Sequence, residues 1–160
     1  MPLSRKLATC WLPFIVALSA CGSDGPTAVE PLPGATAVSV TLSETIPIST
    51  EGLPRLQFTG LAGAAELMWE VESPPCLLAE ASAERAGSIV AIHISRSGNP
   101  LANCSPDPEG YRYVARVAGL APGRYEVRLI DNLLGQPPRE VGRGSVMVLQ
   151  GSSVMALRGS

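Results

Sequence analysis

The sequence has very few of the residues on which most enzyme chemistry depends. Among its 160 residues, His93 is the single histidine and Lys6 is the single lysine. One histidine excludes an HExxH zinc site and any metal site with several histidine ligands, and its alternation with Ile92 and Ile94 predicts a solvent-facing position. The sequence contains no P-loop, no GxGxxG fingerprint and no GxSxG nucleophile elbow. We therefore expect no cofactor and no metal ion, and we assign no catalytic residue.

The sequence also lacks an apolar run long enough to remain as a membrane span. A spanning helix needs about 20 apolar residues, whereas the run at 7–18 has twelve residues and contains Pro13. Arg5 and Lys6 precede this run, and the small residues Ser19 and Ala20 follow it. A positive start, a short apolar segment and small residues at its end predict a secretory signal peptide over residues 1–20.

The boundary Leu18-Ser19-Ala20-Cys21 resembles the lipobox of bacterial lipoproteins. The resemblance implies that the Cys21 thiol takes a diacylglyceryl group, that the peptide is cut before Cys21, and that the new amino group is acylated. Two or three acyl chains hold a protein stably on a membrane. In that family an aspartate after the cysteine favours the inner membrane, and here the residue is Gly22, so the outer membrane is favoured. The alternative is an ordinary signal peptide with a coincidental cysteine.

Removal of residues 1–20 would leave 140 residues, a length typical of one domain. This part carries all 14 acidic residues and ten of the 12 basic ones, so its formal net charge is −4. A mildly acidic chain does not offer the basic patch that nucleic acid requires, and we expect no nucleic-acid partner. Because the mature chain contains no lysine, Schiff-base chemistry is excluded.

The four cysteines have three different expected fates. Cys10 would leave with the signal peptide, and Cys21 would carry the lipid. Cys76 and Cys104 remain in an exported and therefore oxidising compartment, where we expect them to form a disulfide. The alternative is a pair of reduced, buried thiols.

The rest of the chain has two compositions. Residues 21–35 are rich in glycine and proline without periodicity, which predicts a flexible tether. From 36 to 158, apolar and polar residues alternate with the period of two that is typical of half-buried strands. The runs that alternate predict strands at 38–42, 55–58, 66–72, 89–95, 111–117, 124–130 and 146–150, with a candidate last edge at 154–157. The segment 78–86 is rich in alanine and glutamate, which also favour helix, but we predict a strand there.

Short strands separated by turn signals predict one all-β domain at 36–158, an antiparallel β-sandwich of about seven to nine strands. The stretch "RAGS" predicts a hairpin of 77–85 with 88–96. This hairpin would bring Cys76 and Cys104 to the same end of the sheet, within the roughly 5.5–6 Å Cα separation that a disulfide needs.

Leu120, Pro122, Gly123 and Tyr125 resemble the Leu-x-Pro-Gly-x-Tyr corner of immunoglobulin-like and fibronectin type III-like sandwiches. The resemblance implies an immunoglobulin-like sandwich in which the Tyr125 ring packs inward and its hydroxyl bonds to nearby backbone. The sequence departs from true immunoglobulin domains because Trp69 precedes both remaining cysteines. Their disulfide could not be the usual bond between the two sheets.

Four arginines would point outward from one hairpin if 111–117 paired with 124–130: Arg112, Arg116, Arg124 and Arg128. The planar guanidinium group suits carboxylates and phosphates, so this arginine stripe is a candidate binding surface for an anionic headgroup, a glycan or a protein. The alternative is cross-strand pairing with an acidic strand such as 66–72, with each pair contributing a few tenths of a kcal/mol.

Carboxylates offer the main basis for an enzyme. Glu66, Glu70 and Glu72 lie on one strand face, and Glu70 and Glu72 would be about 6.6–6.8 Å apart, a spacing compatible with glycoside hydrolysis. A solvated sheet face is the favoured interpretation, because the mature chain has only five aromatic residues and most of them point inward. Asp107 and Glu109 are a weak calcium signal, since two carboxylates are fewer than such a site needs.

These features predict a lipid-anchored bacterial envelope protein with a tether and one disulfide-bonded β-sandwich. We expect a binding or structural role, with the membrane as one partner through the lipid on Cys21 and an unknown protein or glycan as another. Two rival functions remain. One is an accessory subunit of an envelope complex, recognised through the apolar edge at 146–157. The other is a small hydrolase that uses the glutamate row.

Overall fold

The computed structural model describes residues 29, 32–98 and 107–151. All regular elements in these ranges are β-strands, and none of these ranges contains a helix long and apolar enough to cross a membrane. The strands are β1 Thr36–Val38, β2 Val40–Ile48, β3 Arg55–Leu61, β4 Ala64–Ser73, β5 Leu77–Ala86, β6 Ile89–Gly98, β7 Glu109–Ala118, β8 Gly123–Leu133 and β9 Arg139–Val148. The predicted signal peptide, Cys21, Cys104 and the candidate strand at 154–157 lie outside the described residues.

The strands form two sheets, which confirms the all-β prediction. One sheet has five strands in the order β1-β5-β6-β8-β9, and the other has four in the order β2-β7-β4-β3. The chain passes between the sheets at Ser39, which separates β1 from β2. The expectation of purely antiparallel sheets is wrong for one pair, because β6 and β8 are parallel. The reason is that β7 lies in the opposite sheet, so β8 re-enters the first sheet in the direction of β6.

The segment 78–86, whose alanines and glutamates also favour helix, lies in strand β5, as predicted. Both of its edges are paired, with β1 on one side and β6 on the other. This pairing overrides the helix propensity of its alanines and glutamates, because propensity is weaker than tertiary context. The predicted hairpin is present, with β5 and β6 joined through Gly87 and Ser88. Gly87 has a φ of 58°, the left-handed conformation that two-residue hairpin turns require.

The last predicted strand was too short. β9 begins at Arg139 instead of 146, and its first half is hard to recognise because glycine occupies two inward positions. A Cβ atom on Gly142 would collide with the Leu56 side chain, and one on Gly144 with the Phe58 ring. Apolar side chains of β3 therefore occupy the space that larger residues of β9 would need.

The core lies between the two sheets and consists of inward residues of the six strands β4 to β9, together with Leu120 of the β7–β8 connection. Its largest fully buried side chains are Trp69, Tyr111, Tyr113, Leu67, Ile92, Ile94, Leu129, Val90, Val117, Val127 and Val148. The inward positions are those that alternation predicts for β4, β6, β7 and β8. Burial of this apolar surface contributes about 25 cal/mol per Å² to the free energy of folding.

The predicted tyrosine corner is present in the connection from β7 to β8. The Tyr125 ring is buried, and its hydroxyl donates a hydrogen bond to the carbonyl oxygen of Ala121 at 3.1 Å. Leu120 is also buried, and its N–H donates to the Gly63 carbonyl at 3.1 Å. These contacts hold the connection while the chain passes from the four-stranded sheet to the five-stranded one.

Of the two cysteines predicted to pair, Cys76 lies in the described ranges and Cys104 does not. Cys76 directly precedes β5 and has a φ of 57°. The β5–β6 register places Leu77 opposite Gly98, so Cys76 lies at the end of the hairpin from which the chain leaves β6. Since Cys104 lies outside the described residues, its pairing with Cys76 stays a prediction.

A second junction between the sheets lies where β3 meets the end of β9. The N–H of Leu149 donates to the Leu61 carbonyl, and the N–H of Gly63 donates to the Leu149 carbonyl, both at 3.0 Å. Gly60 faces the backbone of Met147 so closely that a Cβ atom would overlap the Met147 carbonyl oxygen. The closeness of these backbones excludes any side chain at position 60.

We expect Gly60→Ala to lower the free energy of unfolding by about 1–3 kcal/mol, because backbone atoms cannot move aside as a flexible side chain would. The matched control is Gly98→Ala, since a Cβ atom on Gly98 meets nothing within 4 Å. Chemical denaturation of both variants measures the difference. Equal stability of the two variants would contradict the close backbone contact.

Candidate functional site

The four arginines of the predicted stripe do not lie on one hairpin, so that prediction is wrong. Arg112 and Arg116 belong to β7 in the four-stranded sheet, whereas Arg124 and Arg128 belong to β8 in the five-stranded sheet. The connection between β7 and β8 crosses from one sheet to the other. The four side chains therefore form two pairs on opposite outer faces of the protein.

On the four-stranded sheet, Arg112 is part of an ion-pair row with a glutamate at its centre. Glu70 lies directly between Arg112 on β7 and Arg55 on β3 in the strand register. The Arg112 Nε donates to Glu70 Oε1 at 2.6 Å, and Arg55 Nη1 lies 3.4 Å from Oε2. The Glu70 side chain is only 3% exposed. The cross-strand pairing that was the alternative to a binding stripe is thus present for Arg112.

This row also bears on the glutamates of the possible hydrolase. Each oxygen of the Glu70 carboxylate faces a different guanidinium group. A general acid or nucleophile in a glycosidase needs a carboxyl group that can reach substrate, and both oxygens of Glu70 are occupied. The neighbouring residue Glu66 lies opposite Arg116 in the register, without an ion pair within 4.0 Å among the described residues.

On the five-stranded sheet, charged side chains of β8 and β9 form a second network. The Glu126 carboxylate accepts from Arg128 Nε at 2.6 Å and lies 3.8 Å from Arg143 Nη1. Arg143 Nε in turn donates to Glu140 at 2.7 Å. Arg128 therefore has its partner on its own strand, not across the sheet. Glu126 and Arg143 are more than a third exposed, and ion pairs between such exposed groups contribute little to stability.

Arg124 differs from these arginines because no ion pair or hydrogen bond of its side chain is present in the described part of the chain. It lines an open depression of about 570 Å³ together with Ser88, Glu126, Arg143, Gly144 and Ser145. The strand register places Met147 directly opposite Arg124. Met147 is 50% exposed and Leu149 is 55% exposed. We call Ser88, Arg124, Arg143 and Ser145, with Met147 and Leu149 beside them, the basic corner.

His93 lies on the outer face of the five-stranded sheet, as alternation predicts. Its Nε2 is 3.6 Å from Glu84 Oε1, and both side chains are partly exposed. His93 and Glu84 line a second open depression with Ser95, Asn132, Pro138 and Val29. Val29, which precedes β1 in the chain, therefore lies against the face that also carries the basic corner.

A buried ion pair that the sequence pattern did not predict lies inside the sandwich. Arg96 Nε and Nη2 donate to the two oxygens of Asp131 at 2.9 and 2.6 Å. Arg96 Nη1 donates to the Ser73 hydroxyl at 2.6 Å, and the guanidinium carbon lies 4.8 Å from the centre of the Trp69 ring. Both charged side chains are about 95% buried. A bidentate pair with further hydrogen bonds is the arrangement that makes a buried charge tolerable.

Alternation could have located this pair. Arg96 continues the inward series of β6 after Ile92 and Ile94, and Asp131 continues that of β8 after Leu129. The strand predicted at 89–95 ends one residue before Arg96, whereas β6 extends to Gly98. In a sequence, such a pair is indicated by two residues of opposite charge, each of which follows a series of inward-pointing apolar residues on its own strand.

Three aromatic rings lie beside this ion pair. Trp69 and Tyr113 have ring centroids 5.5 Å apart, and Tyr111 stacks on Tyr113 at 5.9 Å. Burial raises the pKa of Tyr113, and the Glu44 carboxylate nearby raises it further. Burial also raises the pKa of Glu44. This end of the core therefore contains groups that resist the loss of a proton.

Metal-binding groups are sparse in the described ranges. These ranges contain no cluster of three or more histidine, cysteine, aspartate or glutamate side chains that could hold an ion. Asp107 is the first described residue after the gap at 99–106, and Glu109 begins β7. The loop residues 105 and 106 of the weak calcium signal lie outside the described residues.

Comparison of this chain with protein-family models, with curated proteins and with solved structures finds no match. Its candidate surfaces are therefore interpreted from their own contacts and charges.

The buried ion pair predicts a large effect of one substitution. Arg96→Met would leave the Asp131 carboxylate buried with only the distant Arg139 at 3.9 Å, and we expect a loss of about 3–5 kcal/mol of stability. The double variant Arg96→Met with Asp131→Leu should regain most of it, because no unpaired charge remains.

The control for this experiment is Arg128→Met, which removes a partly exposed ion pair. We expect it to cost less than about 1 kcal/mol. Denaturant titration of the variants supplies the measurement. An Arg96→Met variant as stable as Arg128→Met would show that the loss of the Arg96 side chain does not destabilise the folded state.

The raised pKa of Tyr113 predicts a loss of stability in alkali. The unfolded chain ionises this tyrosine near its ordinary pKa of 10.0 while the folded chain keeps it neutral, so stability is full below pH 10 and falls as the pH rises. At pH 11 the contribution of Tyr113 to this loss is on the order of 1 kcal/mol. Tyr113→Phe should therefore lose about that much less stability than the wild type between pH 8 and pH 11. Equal losses in both proteins would contradict the burial of this hydroxyl.

Proposed function

We propose that this chain is a bacterial envelope lipoprotein whose mature form begins at Cys21 and carries two or three acyl chains. The support is the sequence Leu18-Ser19-Ala20-Cys21 after a positive start and a short apolar segment. The lipid attaches the protein to a membrane, and Gly22 after the cysteine favours the outer membrane. The mature protein then consists of a tether and the β-sheet body at 36–158.

We propose that the body is an immunoglobulin-like sandwich. Its support is the Tyr125 corner, together with the packing of two sheets over one core. The parallel pair of β6 and β8 is a departure from the fully antiparallel sheets of that class. The disulfide between Cys76 and Cys104 belongs to the same proposal, supported by the oxidising compartment and by the position of Cys76 at the open end of the β5–β6 hairpin.

The proposed role is binding, without catalysis, through an outer face of a tethered domain. One observation carries this role: the basic corner combines Arg124, which has no side-chain partner among the described residues, with two half-exposed apolar side chains. An exposed cation beside exposed apolar surface marks an interaction site more specifically than either feature alone. The Arg112 row has a different character, because both of its guanidinium groups face the Glu70 carboxylate.

An accessory subunit of an envelope complex is the second candidate function. It is favoured by the same exposed residues, Met147 and Leu149, which belong to the apolar edge predicted at 146–157. A subunit of this kind would use the end of β9 as its contact. The small hydrolase is not favoured, since Glu70 is enclosed by Arg55 and Arg112.

We expect Cys21→Ser to abolish labelling of the protein by a radioactive or clickable fatty acid in growing cells. The variant should also keep residues 1–20, because the lipid precedes cleavage in this family. Cys10→Ser is the matched control and should be labelled normally, since Cys10 lies inside the predicted signal peptide. A Cys21→Ser protein that still carries label would refute the attachment site.

A further inference from the structure

We propose that the basic corner binds the phosphate groups of anionic lipid headgroups, and that it turns the outer face of the five-stranded sheet toward the membrane. This inference rests on the proposed lipid anchor, because a single domain with one such corner binds a membrane weakly by itself. It goes beyond the anchor by assigning an orientation to the domain and a ligand to its surface.

First, the basic corner contains hydrogen-bond donors that are not used by other described residues. Arg124 makes no ion pair or hydrogen bond within the described ranges, so its guanidinium donors face solvent. Arg143 uses its Nε on Glu140 and directs Nη1 toward Glu126, which leaves Nη2 for a ligand. The hydroxyl groups of Ser88 and Ser145 line the same depression. Guanidinium and hydroxyl donors around an open depression suit a phosphate group.

The second argument is the charge of this part of the face. The outward side chains of β8 and β9 include Arg124, Arg128 and Arg143, with Glu126 and Glu140 between them. Three positive charges against two negative ones leave a local excess of one positive charge, in a mature chain whose net charge is negative. The excess lies at Arg124, whose side chain has no ion pair or hydrogen bond in the described part of the chain.

The third argument is the apolar surface beside the cation. Met147 lies opposite Arg124 across the β8–β9 pair, and Leu149 follows it by two residues, so alternation places both side chains in the same direction. Both are at least half exposed. A protein surface that sits on a bilayer places its cations at the phosphates and its apolar side chains toward the acyl boundary.

The fourth argument is the position of the tether. Val29 borders the depression formed by Glu84, His93, Ser95, Asn132 and Pro138, on the outer face of the five-stranded sheet. Residues 21–28 connect it to Cys21, and eight residues reach at most about 29 Å when extended. From Asn132 back to Arg124, β8 spans about 26 Å. The anchor can therefore lie beside any part of this face.

The outer face of the four-stranded sheet lies farther from the anchor, because a second layer of the sandwich adds about 10 Å. That face carries Arg116, an exposed arginine that also lacks an ion pair among the described residues. The two arginines thus differ in the face on which they lie and in their cross-strand neighbours, since Arg116 lies opposite Glu66 and Arg124 lies opposite Met147. Arg116 provides a control with the same change of charge on the opposite side of the molecule.

The tether makes a weak contact sufficient. A cation near an anionic surface contributes about 1 kcal/mol, so a free domain binds such a surface only weakly, and measurably only at low ionic strength. A short tether, however, converts docking into an intramolecular step at an effective concentration in the millimolar range. The basic corner then decides the orientation of the domain while the acyl chains supply the attachment.

The test uses the mature-length chain, residues 21–160, with Cys21→Ser so that no acyl chain contributes. The chain is mixed with vesicles of phosphatidylcholine alone or of phosphatidylcholine and phosphatidylglycerol in equal parts. The fraction that floats with the vesicles is measured at low ionic strength, where surface charges are least screened. Binding of inorganic phosphate to the same chain is measured separately by calorimetry.

We expect the chain to float with the anionic vesicles and not with the neutral ones. Arg124→Glu should lower the partition coefficient about fivefold or more, whereas Arg116→Glu should change it by less than about twofold. Met147→Ser should also lower the coefficient, without changing its dependence on salt.

Three results would overturn the proposal: equal binding to both kinds of vesicle, equal effects of Arg124→Glu and Arg116→Glu, or binding of inorganic phosphate without any binding to anionic vesicles. The last of these would assign the basic corner to a soluble anion. None of them would alter the fatty-acid labelling of Cys21 in cells, so failure of the docking surface is distinguishable from failure of the lipid anchor.

Discussion

The passage of the chain from β7 to β8 is the constraint on which the rest of the structure depends. At this point the chain leaves the four-stranded sheet and enters the five-stranded one, held by the hydrogen bond from Tyr125 to Ala121 and by the burial of Leu120. The crossing makes β8 parallel to β6. It also places the arginines of β7 and β8 on opposite outer faces, so the surface chemistry of the protein follows from this one connection.

The pairing of charged side chains differs between the interior of the sandwich and its two outer faces. Arg96 and Asp131 are enclosed together, and their bidentate hydrogen bonds offset part of the cost of removing both charges from water. Glu70 is covered by Arg55 and Arg112 on the outer face of the four-stranded sheet. On the five-stranded sheet Arg124 has no ion pair among the described residues, and on the four-stranded sheet Arg116 has none either. The two differ in their surroundings, since Arg124 lies opposite the half-exposed Met147. Val29 lies on the outer face that also carries Arg124. Arg124, Met147, Leu149 and Val29 thus occur on one side of the molecule, which is the side that we propose faces the membrane.

Alternation was sufficient where one face of a strand is apolar and the other polar. It predicted β4, β6, β7 and β8, the β5–β6 hairpin and the solvent-facing position of His93. It failed where the inward residue is not apolar: Gly142 and Gly144 hid the first half of β9, because the side chains of Leu56 and Phe58 fill the space beside them. Arg96 was missed for a related reason, since a charged residue in an inward position reads as the end of a strand until its partner is known.

The sequence by itself determined most of the strands and the corner at Tyr125, and it contains the lipobox-like motif on which the proposed export rests, because each depends on residues that are near one another in the chain. The tertiary structure alone decided which strands are neighbours, and therefore which charges meet. Glu70 and Arg112 are 42 residues apart, and Arg96 and Asp131 are 35 apart. Pairing over such separations is set by the packing of two apolar faces against each other, and the period of a single strand carries no information about the sheet that the strand joins.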